Sequence, residues 1–172
     1  CGKTLDIGWL LSRGYRVAGA ELSAVAIEQL FAELGVTSKI TTVGSLDHYR
    51  APQLDIFVGD IFTVTPELLG PVDAIYDRAA LVALPRDMRA RYAEHLMTLT
   101  GQAPQLLISF EYDQRVMEGP PFSVSNEEIR EHYGQRYGIR VLTSLDVPGG
   151  LKGRCPAEEA VYLLVKNRLG RI

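Results

Sequence analysis

The chain has 172 residues, 47% of them hydrophobic and 23% charged, which suits one globular domain over residues 1–172 with a core of its own. The formal charge of -3 includes no concentrated basic patch, which argues against a nucleic-acid partner and favours a small molecule. No apolar run approaches the roughly 20 residues that cross a bilayer, so we expect a cytoplasmic protein with no membrane partner. We also expect a monomer.

The first third of the chain predicts helix and strand in alternation. The segments are a helix over 4–13, a strand over 15–20, a helix between Ser23 and Gly35, and a loop or small surface hairpin over 36–53. Trp9 lies on the apolar face of the first helix and is expected in the core. Ser23 is a typical N-cap for the second helix, and Gly35 is typical of a helix end.

The rest of the chain continues this alternation and closes with two strands. The segments are strands over 54–58 and 72–76, a helix after Pro85, a strand over 105–110, a loop over 113–124, a helix from Ser125 to Gly134, and strands over 139–142 and 160–165. The nearly all-apolar run 105–110 is expected of a central strand covered on both faces. Two closing strands with no helix between them indicate an antiparallel edge.

Acidic residues follow two of these strands, where open α/β sheets bind nucleotide-like ligands. Glu21 is placed to accept hydrogen bonds from both hydroxyls of a ribose, and Asp60 to accept one from the exocyclic amine of adenine. Glu21 is equally well explained as a solvated acid or as a partner of a helix N-terminus. Asp60 after Gly59 is equally well explained as an ordinary turn. Two acids at successive strand ends nevertheless favour an adenosine ligand.

Phosphate-binding patterns are absent from the sequence, which narrows the choice of cofactor. No Gly-x-Gly-x-x-Gly follows a strand, and Cys1-Gly2-Lys3-Thr4 carries only the end of a phosphate-binding loop. An adenosine cofactor without phosphates is therefore favoured, and S-adenosyl-L-methionine is the obvious candidate. Cys1 and Cys155 lie at opposite ends of the chain and share no ligand spacing with the histidines, so neither a disulfide nor a metal site is indicated.

Six short motifs occur in a fixed order along the chain. They are Cys1-Gly2-Lys3, Gly19-Ala20-Glu21-Leu22-Ser23, Tyr76-Asp77-Arg78-Ala79-Ala80-Leu81-Val82-Ala83-Leu84, Tyr112-Asp113, Gly119-Pro120-Pro121-Phe122 and Val161-Tyr162-Leu163-Leu164. On these motifs the chain resembles the thiopurine S-methyltransferases, a family of class I S-adenosylmethionine-dependent methyltransferases. The resemblance runs from Cys1 to about Lys166, and the chain looks like a bacterial member.

This resemblance implies a Rossmann-like α/β fold. The family has a seven-stranded, mostly parallel sheet with an antiparallel last strand, helices on both faces, and an N-terminal helical segment that covers the cofactor. Because the chain opens on Cys1 without a Met, the resemblance implies that the first strand and this segment lie upstream. We expect several dozen further residues there, including a strand just before Cys1.

The resemblance also implies contacts to S-adenosyl-L-methionine and to its product, S-adenosyl-L-homocysteine. Gly2 would approach the methionine part, Glu21 would bind the ribose, and Asp60 with Ile61 would flank the adenine. Asp60 stands where animal relatives carry Ser, so a backbone contact to adenine is the alternative to a side-chain one. Arg78 is implied at the junction of the cofactor and acceptor sites.

On the acceptor side, the resemblance implies that Arg78 is catalytic and that Pro121 and Phe122 wall an aromatic pocket. A sulfonium methyl is already activated, so an acceptor thiolate needs orientation and desolvation more than a strong base. A cation such as Arg78 can hold that anionic form. Without the resemblance, a salt bridge to Asp77 or Asp113 would be the preferred explanation of Arg78.

The implied activity is S-methylation of aromatic or heterocyclic thiols such as thiopurines, and bacterial members are also associated with selenium and tellurium oxyanion detoxification. A methyltransferase for another small thiol or metalloid is the nearest alternative. An NAD-dependent oxidoreductase would share Glu21 but should carry the absent glycine fingerprint, and a non-catalytic methyltransferase-like subunit would have lost the cofactor contacts. Arg154 is the remaining candidate for a substrate contact, in a segment over 146–156 that aligns poorly with the family.

Overall fold

Five α-helices and eight β-strands follow one another along residues 1–167, which the computed structural model describes. They fall into two compact units, Cys1–Leu69 and the residues from Gly70 onward. The elements of the first unit are α1 (Leu5–Ser12), β1 (Val17–Glu21), α2 (Ala24–Leu34), β2 (Lys39–Val43), β3 (Leu46–Ala51), β4 (Leu54–Val58), a 3-10 turn (Ile61–Thr63) and α3 (Pro66–Leu69). Those of the second are β5 (Ile75–Arg78), a 3-10 turn (Leu81–Ala83), α4 (Arg86–Leu99), β6 (Gln105–Tyr112), α5 (Asn126–Tyr133), β7 (Tyr137–Asp146) and β8 (Ala157–Lys166). The single domain predicted over the whole chain stays a prediction.

The sheet of the first unit has the strand order β1-β4-β3-β2. β1 runs parallel to β4 and pairs Glu21 with Val58, so both strands end at the same edge. β3 runs antiparallel to β4, and β2 and β3 form an antiparallel hairpin. The hairpin confirms one of the two structures predicted for residues 36–53. The prediction that this hairpin lies at the surface is wrong in part, because His48 and Tyr49 on β3 are buried.

Helices α1 and α2 pack their apolar side chains against this sheet. The buried cluster consists of Ile7, Ile27, Leu30, Phe31, Tyr49, Leu54, Ile56 and Val58. The predicted ends of α2 are confirmed, since the Ser23 hydroxyl accepts a hydrogen bond from the Ala26 N–H at 3.2 Å and Gly35 adopts a left-handed φ of 67°. These local signals were sufficient to place the helix.

The prediction that Trp9 lies in the core is wrong. Ile7 takes the buried position on α1, whereas Trp9 is 56% exposed. Two residues along an α-helix turn the side chain through about 200°, so both cannot face the same core. The Trp9 ring instead lies 5.3 Å from the guanidinium of Arg13.

A buried carboxylate, Asp55, lies on β4 of the first unit. Hydrogen bonds join it to Arg16 Nη2 at 3.0 Å, His48 Nε2 at 2.9 Å and Arg50 Nε at 3.2 Å. Burial by itself raises the pKa of Asp55, but these hydrogen bonds hold it below its usual value. The His48 ring also stacks on Phe57, with the ring centroids 4.3 Å apart. This network ties β3 and β4 together by side chains as well as by backbone.

The sheet of the second unit has the strand order β5-β6-β8-β7. β5 runs parallel to β6, with Arg78 opposite Ile108, and β8 lies antiparallel between β6 and β7. The predicted antiparallel closing strands are therefore confirmed. β7 is the edge strand, and its register with β8 shifts at a bulge between Val141 and Thr143.

The resemblance implies a seven-stranded, mostly parallel sheet, and this expectation is wrong for residues 1–167. These residues form the two four-stranded mixed sheets described above. A continuous sheet requires each inner strand to form backbone hydrogen bonds along both edges. Among the strands of residues 1–167, β1 pairs only with β4, and β5 pairs only with β6. The hairpin of β2 and β3 also adds two antiparallel strands to the first sheet. In the described part of the chain, no helix is long and apolar enough to cross a membrane.

Candidate functional site

The carboxylate of Glu21 lies at the end of β1 and contacts the glycine segment near the start of the chain. Its Oε2 accepts a hydrogen bond from the Gly2 N–H at 2.7 Å, and its Oε1 accepts from Leu22 at 2.9 Å and Ser23 at 3.0 Å. Burial raises the pKa of Glu21, but the backbone hydrogen bonds from Ser23 and Gly2 lower it below its usual value. Glu21 is therefore ionised at neutral pH. Gly2 and Glu21, which were predicted to bind different parts of the cofactor, are in direct contact.

Gly2 itself has a left-handed φ of 59°, a conformation that glycine adopts at little steric cost. A Cβ built on Gly2 would meet no atom within 4 Å, so there is room beside its backbone. A glycine at this position therefore donates its amide to Glu21 and leaves open space beside its backbone.

Asp60 lies just after the end of β4, beside the end of β1. The Gly59 N–H donates to the Glu21 carbonyl at 2.8 Å, which brings the two strand ends together. The exposed Asp60 carboxylate accepts a hydrogen bond from the Phe62 N–H at 3.0 Å and caps the short 3-10 turn that begins at Ile61. Asp60 therefore has the local role of a turn residue, which was one of its two explanations from the sequence. The next residue, Ile61, is half-buried.

The chemistry of these groups fits an adenosine-containing cofactor. Glu21 offers ionised oxygens, each already directed by backbone donors, at the strand end where ribose hydroxyls would donate. Asp60 and Ile61 add an acceptor and an apolar side chain at the neighbouring strand end, which suits the edge and face of adenine. All of these residues belong to the first unit.

In the second unit, Arg78 is the last residue of β5 and its side chain is exposed. The preceding residue, Asp77, points inward and is 3% exposed. Its Oδ2 accepts a hydrogen bond from the Tyr92 hydroxyl at 3.0 Å, and its Oδ1 accepts from the Leu81 N–H at 3.3 Å. Burial raises the pKa of Asp77, and these hydrogen bonds oppose that rise only in part. The Arg78 turn is thus fixed from beneath by a buried acid.

The Gly119-Pro120-Pro121-Phe122 loop is held to the residues that follow Arg78. The Phe122 N–H donates to the Val82 carbonyl at 2.6 Å, and the Tyr112 hydroxyl donates to the Pro121 carbonyl at 2.7 Å. The Arg89 guanidinium lies 5.5 Å from the centroid of the Phe122 ring. The structure therefore ties the predicted acceptor loop to the turn that carries the predicted catalytic arginine.

Arg89 and Glu128 form a buried ion pair between α4 and α5. The Arg89 Nη1 lies 2.8 Å from Glu128 Oε1, and their side chains are 4% and 11% exposed. The Arg89 Nε also donates to the Leu84 carbonyl at 2.9 Å. This pair anchors the guanidinium that lies against Phe122.

Arg154 is brought to the rim of the same loop. It lines a cavity of about 320 Å³ together with Gly119, Pro120 and Lys152. The Lys152 Nζ donates to the Pro120 carbonyl at 2.6 Å, so the segment around Arg154 is fastened to the loop. Arg154 therefore lies near the predicted acceptor loop, although its segment aligns poorly with the family.

Comparisons with known proteins place these features in a family. The sequence profile of the thiopurine S-methyltransferase family matches residues 1–166. The chain belongs to the thiopurine S-methyltransferase family. The thiopurine S-methyltransferase of Xanthobacter autotrophicus is 63% identical over 164 residues, which is 95% of this chain and 77% of that protein. That of Gluconobacter oxydans is 51% identical over 162 residues, which is 94% of this chain and 74% of that protein.

Membership of the thiopurine S-methyltransferase family makes the chain an enzyme that uses S-adenosyl-L-methionine. A solved S-adenosylmethionine-dependent methyltransferase from Methanosarcina mazei has the same Rossmann-like α/β fold, with a TM-score of 0.63 at 14% identity. The match covers 97% of this chain and 90% of that protein. The predictions of the family, the enzyme class and the cofactor are confirmed.

In this chain, the predicted site residues divide between the two units. Gly2, Glu21, Asp60 and Ile61 lie in the first unit, and Arg78, Pro121 and Phe122 lie in the second. Sequence reasoning missed the buried partners of the acceptor side, namely Asp77 with Tyr92 and Arg89 with Glu128. The Asp next to Arg78 in the motif is a signal that could have found the first pair, but the sequence offers it only as an alternative salt-bridge partner of Arg78.

Proposed function

We propose that the protein transfers the methyl group of S-adenosyl-L-methionine to the sulfur of thiopurines and other aromatic or heterocyclic thiols. The observation that carries this proposal is the link between the Arg78 turn and the Phe122 loop, through the hydrogen bond from Phe122 to the Val82 carbonyl. That link gives one unit both a cation and an aromatic wall. A flat, anionic sulfur acceptor needs both of these features.

The residues proposed for the cofactor are Gly2, Glu21, Asp60 and Ile61. Glu21 is ionised, and its carboxylate would accept the ribose hydroxyls in charge-assisted hydrogen bonds, sharing its oxygens with the backbone donors of Gly2, Leu22 and Ser23. Gly2 leaves room for the methionine part beside its backbone. When bound, the cofactor supplies a methyl group that its sulfonium already activates.

The proposed work of the acceptor residues is to bind and orient. Arg78, exposed at the end of β5, would pair with the anionic sulfur or with an acidic substituent on the ring. Pro121 and Phe122 would pack against the ring and exclude water from it, which leaves the thiolate less solvated and more reactive. A junction role for Arg78, touching cofactor as well as acceptor, is part of the same proposal.

The test uses the full-length protein with two measurements. Calorimetry should detect S-adenosyl-L-homocysteine binding, and methyl transfer should be measured with 6-mercaptopurine, thiophenol, selenite and tellurite as acceptors. We expect both aromatic thiols to be methylated faster than either oxyanion. Transfer to the oxyanions alone would replace the proposed acceptor class with the metalloid one, and S-adenosyl-L-homocysteine binding without transfer to an aromatic thiol would refute it.

A further inference from the structure

Beneath Arg78, in the second unit, lies a pair of buried polar side chains. The Tyr92 hydroxyl donates to Asp77 Oδ2 at 3.0 Å, and the two residues are 4% and 3% exposed. We propose that Asp77 and Tyr92 are positioning residues, which fix the turn that presents Arg78 to the acceptor. The proposal rests on the function proposed above, since it assigns this pair to the same acceptor site.

The turn after β5 has a backbone conformation that needs a constraint from outside. Ala79 has a left-handed φ of 69°, which residues with a Cβ rarely adopt. Such a conformation persists only where surrounding contacts over-determine it, and it is found preferentially at functional sites. Asp77 supplies one of these contacts, because its Oδ1 accepts the Leu81 N–H across the turn at 3.3 Å. Tyr92 on α4 holds the other oxygen and so fixes the direction of the carboxylate.

The same turn also sets the place of the acceptor loop. Leu81 and Val82 are both 0% exposed, so the 3-10 turn is anchored in the core. The Val82 carbonyl accepts the Phe122 N–H at 2.6 Å. One chain of contacts therefore runs from Tyr92 through Asp77 and the 3-10 turn to Phe122. Loosening its first link should disturb the cation and the aromatic wall of the site together.

Stability alone is a poor explanation for this pair. Burial disfavours the charged form of a carboxylate, and an apolar side chain of similar volume is often as stable in such a position. Burial raises the pKa of Asp77 despite its hydrogen bonds, which marks this unfavourable burial. A buried acid directly before Arg78, bonded to Leu81 across the strained turn and to Tyr92 on α4, is better explained by the geometry that it imposes.

The principal test compares Tyr92→Phe with Tyr137→Phe. Tyr137 is a matched control, because its buried hydroxyl also makes one hydrogen bond in the same unit, to the Ala103 carbonyl at 2.8 Å. Ala103 precedes β6, at the end of the sheet away from Arg78. We expect similar decreases in Tm for both variants, but about a tenfold decrease in kcat/KM for 6-mercaptopurine only in Tyr92→Phe. The affinity for S-adenosyl-L-homocysteine should be unchanged in both.

Asp77→Asn serves as the conservative variant. Its side-chain oxygen can still accept the Leu81 N–H, and its amide can donate to the Tyr92 oxygen, so kcat/KM should stay within about threefold of the wild type. Asp77→Ala, which can do neither, should lose more activity than Tyr92→Phe. Asn and Ala variants of equal activity would contradict the positioning role.

A second readout separates this inference from the proposed function. Hydrogen exchange in a peptide over 76–84 should be faster in Tyr92→Phe than in the wild type, and unchanged in Tyr137→Phe. Unchanged exchange in Tyr92→Phe, or an equal loss of kcat/KM in both Tyr variants, would overturn the inference. A wild-type protein that does not methylate 6-mercaptopurine would instead refute the proposed acceptor, and the exchange comparison would still decide whether the pair fixes the turn.

Discussion

Replacing Glu21 by Gln should weaken the binding of S-adenosyl-L-homocysteine without unfolding the protein. The substitution keeps the shape of the side chain and one acceptor oxygen. It replaces the other oxygen with an NH2 group, which is a donor, and it removes the negative charge. One ribose hydroxyl therefore loses its charge-assisted hydrogen bond. A bond of this kind contributes about 1.5 to 3 kcal/mol, so Kd should rise roughly 10-fold to 150-fold.

The free protein should also register the change. In the wild type, one oxygen of Glu21 accepts the Gly2 N–H and the other accepts the N–H groups of Leu22 and Ser23. A Gln amide must turn its NH2 group toward one of these donors, which leaves that backbone group without its acceptor. A modest fall in Tm of a few degrees should follow from a loss of about 1 kcal/mol.

The assay is isothermal titration calorimetry of the full-length protein, with circular dichroism to establish that the variant is folded. Glu28→Gln is the matched control, because it removes the charge of an exposed Glu on α2 in the same unit. Kd for S-adenosyl-L-homocysteine should be unchanged in this control. Unchanged affinity in a folded Glu21→Gln variant would refute the assignment of Glu21 to the ribose.

Three further predictions concern the acceptor side, acid stability and the buried ion pair. Arg78→Ala should lower kcat/KM for 6-mercaptopurine roughly 10-fold to 100-fold while leaving S-adenosyl-L-homocysteine bound, and Arg86→Ala, which removes an exposed arginine on α4, should change neither. The folded-state pKa of Asp55 lies below its usual value, so the ionised carboxylate stabilises the folded protein above about pH 4, and this stabilisation is lost as pH falls through the lowered pKa. The Tm of Asp55→Asn should therefore depend less on pH between about 5 and 2 than the Tm of the wild type does. Arg89→Ala should lower the free energy of unfolding in urea by about 3 kcal/mol, because it takes the arginine from a largely buried Glu128 carboxylate that keeps His132, 3.3 Å away, as a neighbour. A loss no larger than that of Arg86→Ala would contradict this.

Features that depend on neighbouring residues could be predicted from the sequence. Ser23 and Gly35 placed both ends of α2, because a cap hydroxyl and a left-handed glycine act within one helical turn. The strand predicted over 15–20 ends within one residue of the observed end of β1 at Glu21. The family and its cofactor followed from motifs, which record the chemistry of a site without requiring its geometry.

Features that depend on distant residues could not be predicted. Arg89 and Glu128 are 39 positions apart, and a polar residue inside a helix pattern normally indicates a solvent-facing position. Periodicity predicts Trp9 in the core because it identifies an apolar stripe, but it does not show which residue of that stripe faces inward. The pairing of strands into one sheet or two depends on backbone edges, on which side-chain periodicity carries no information.

The bulge in β7 has a consequence for the behaviour of the protein in solution. β7 runs for ten residues along the edge of the second sheet, and it exposes Val141, Leu142 and Leu145. A straight edge of this length and composition would be a template on which a second chain could add a strand and begin to aggregate. The register shift between Val141 and Thr143 breaks the row of backbone donors and acceptors in the middle, so an incoming strand finds only short stretches to pair with. An irregularity in one strand thus serves as protection against self-association.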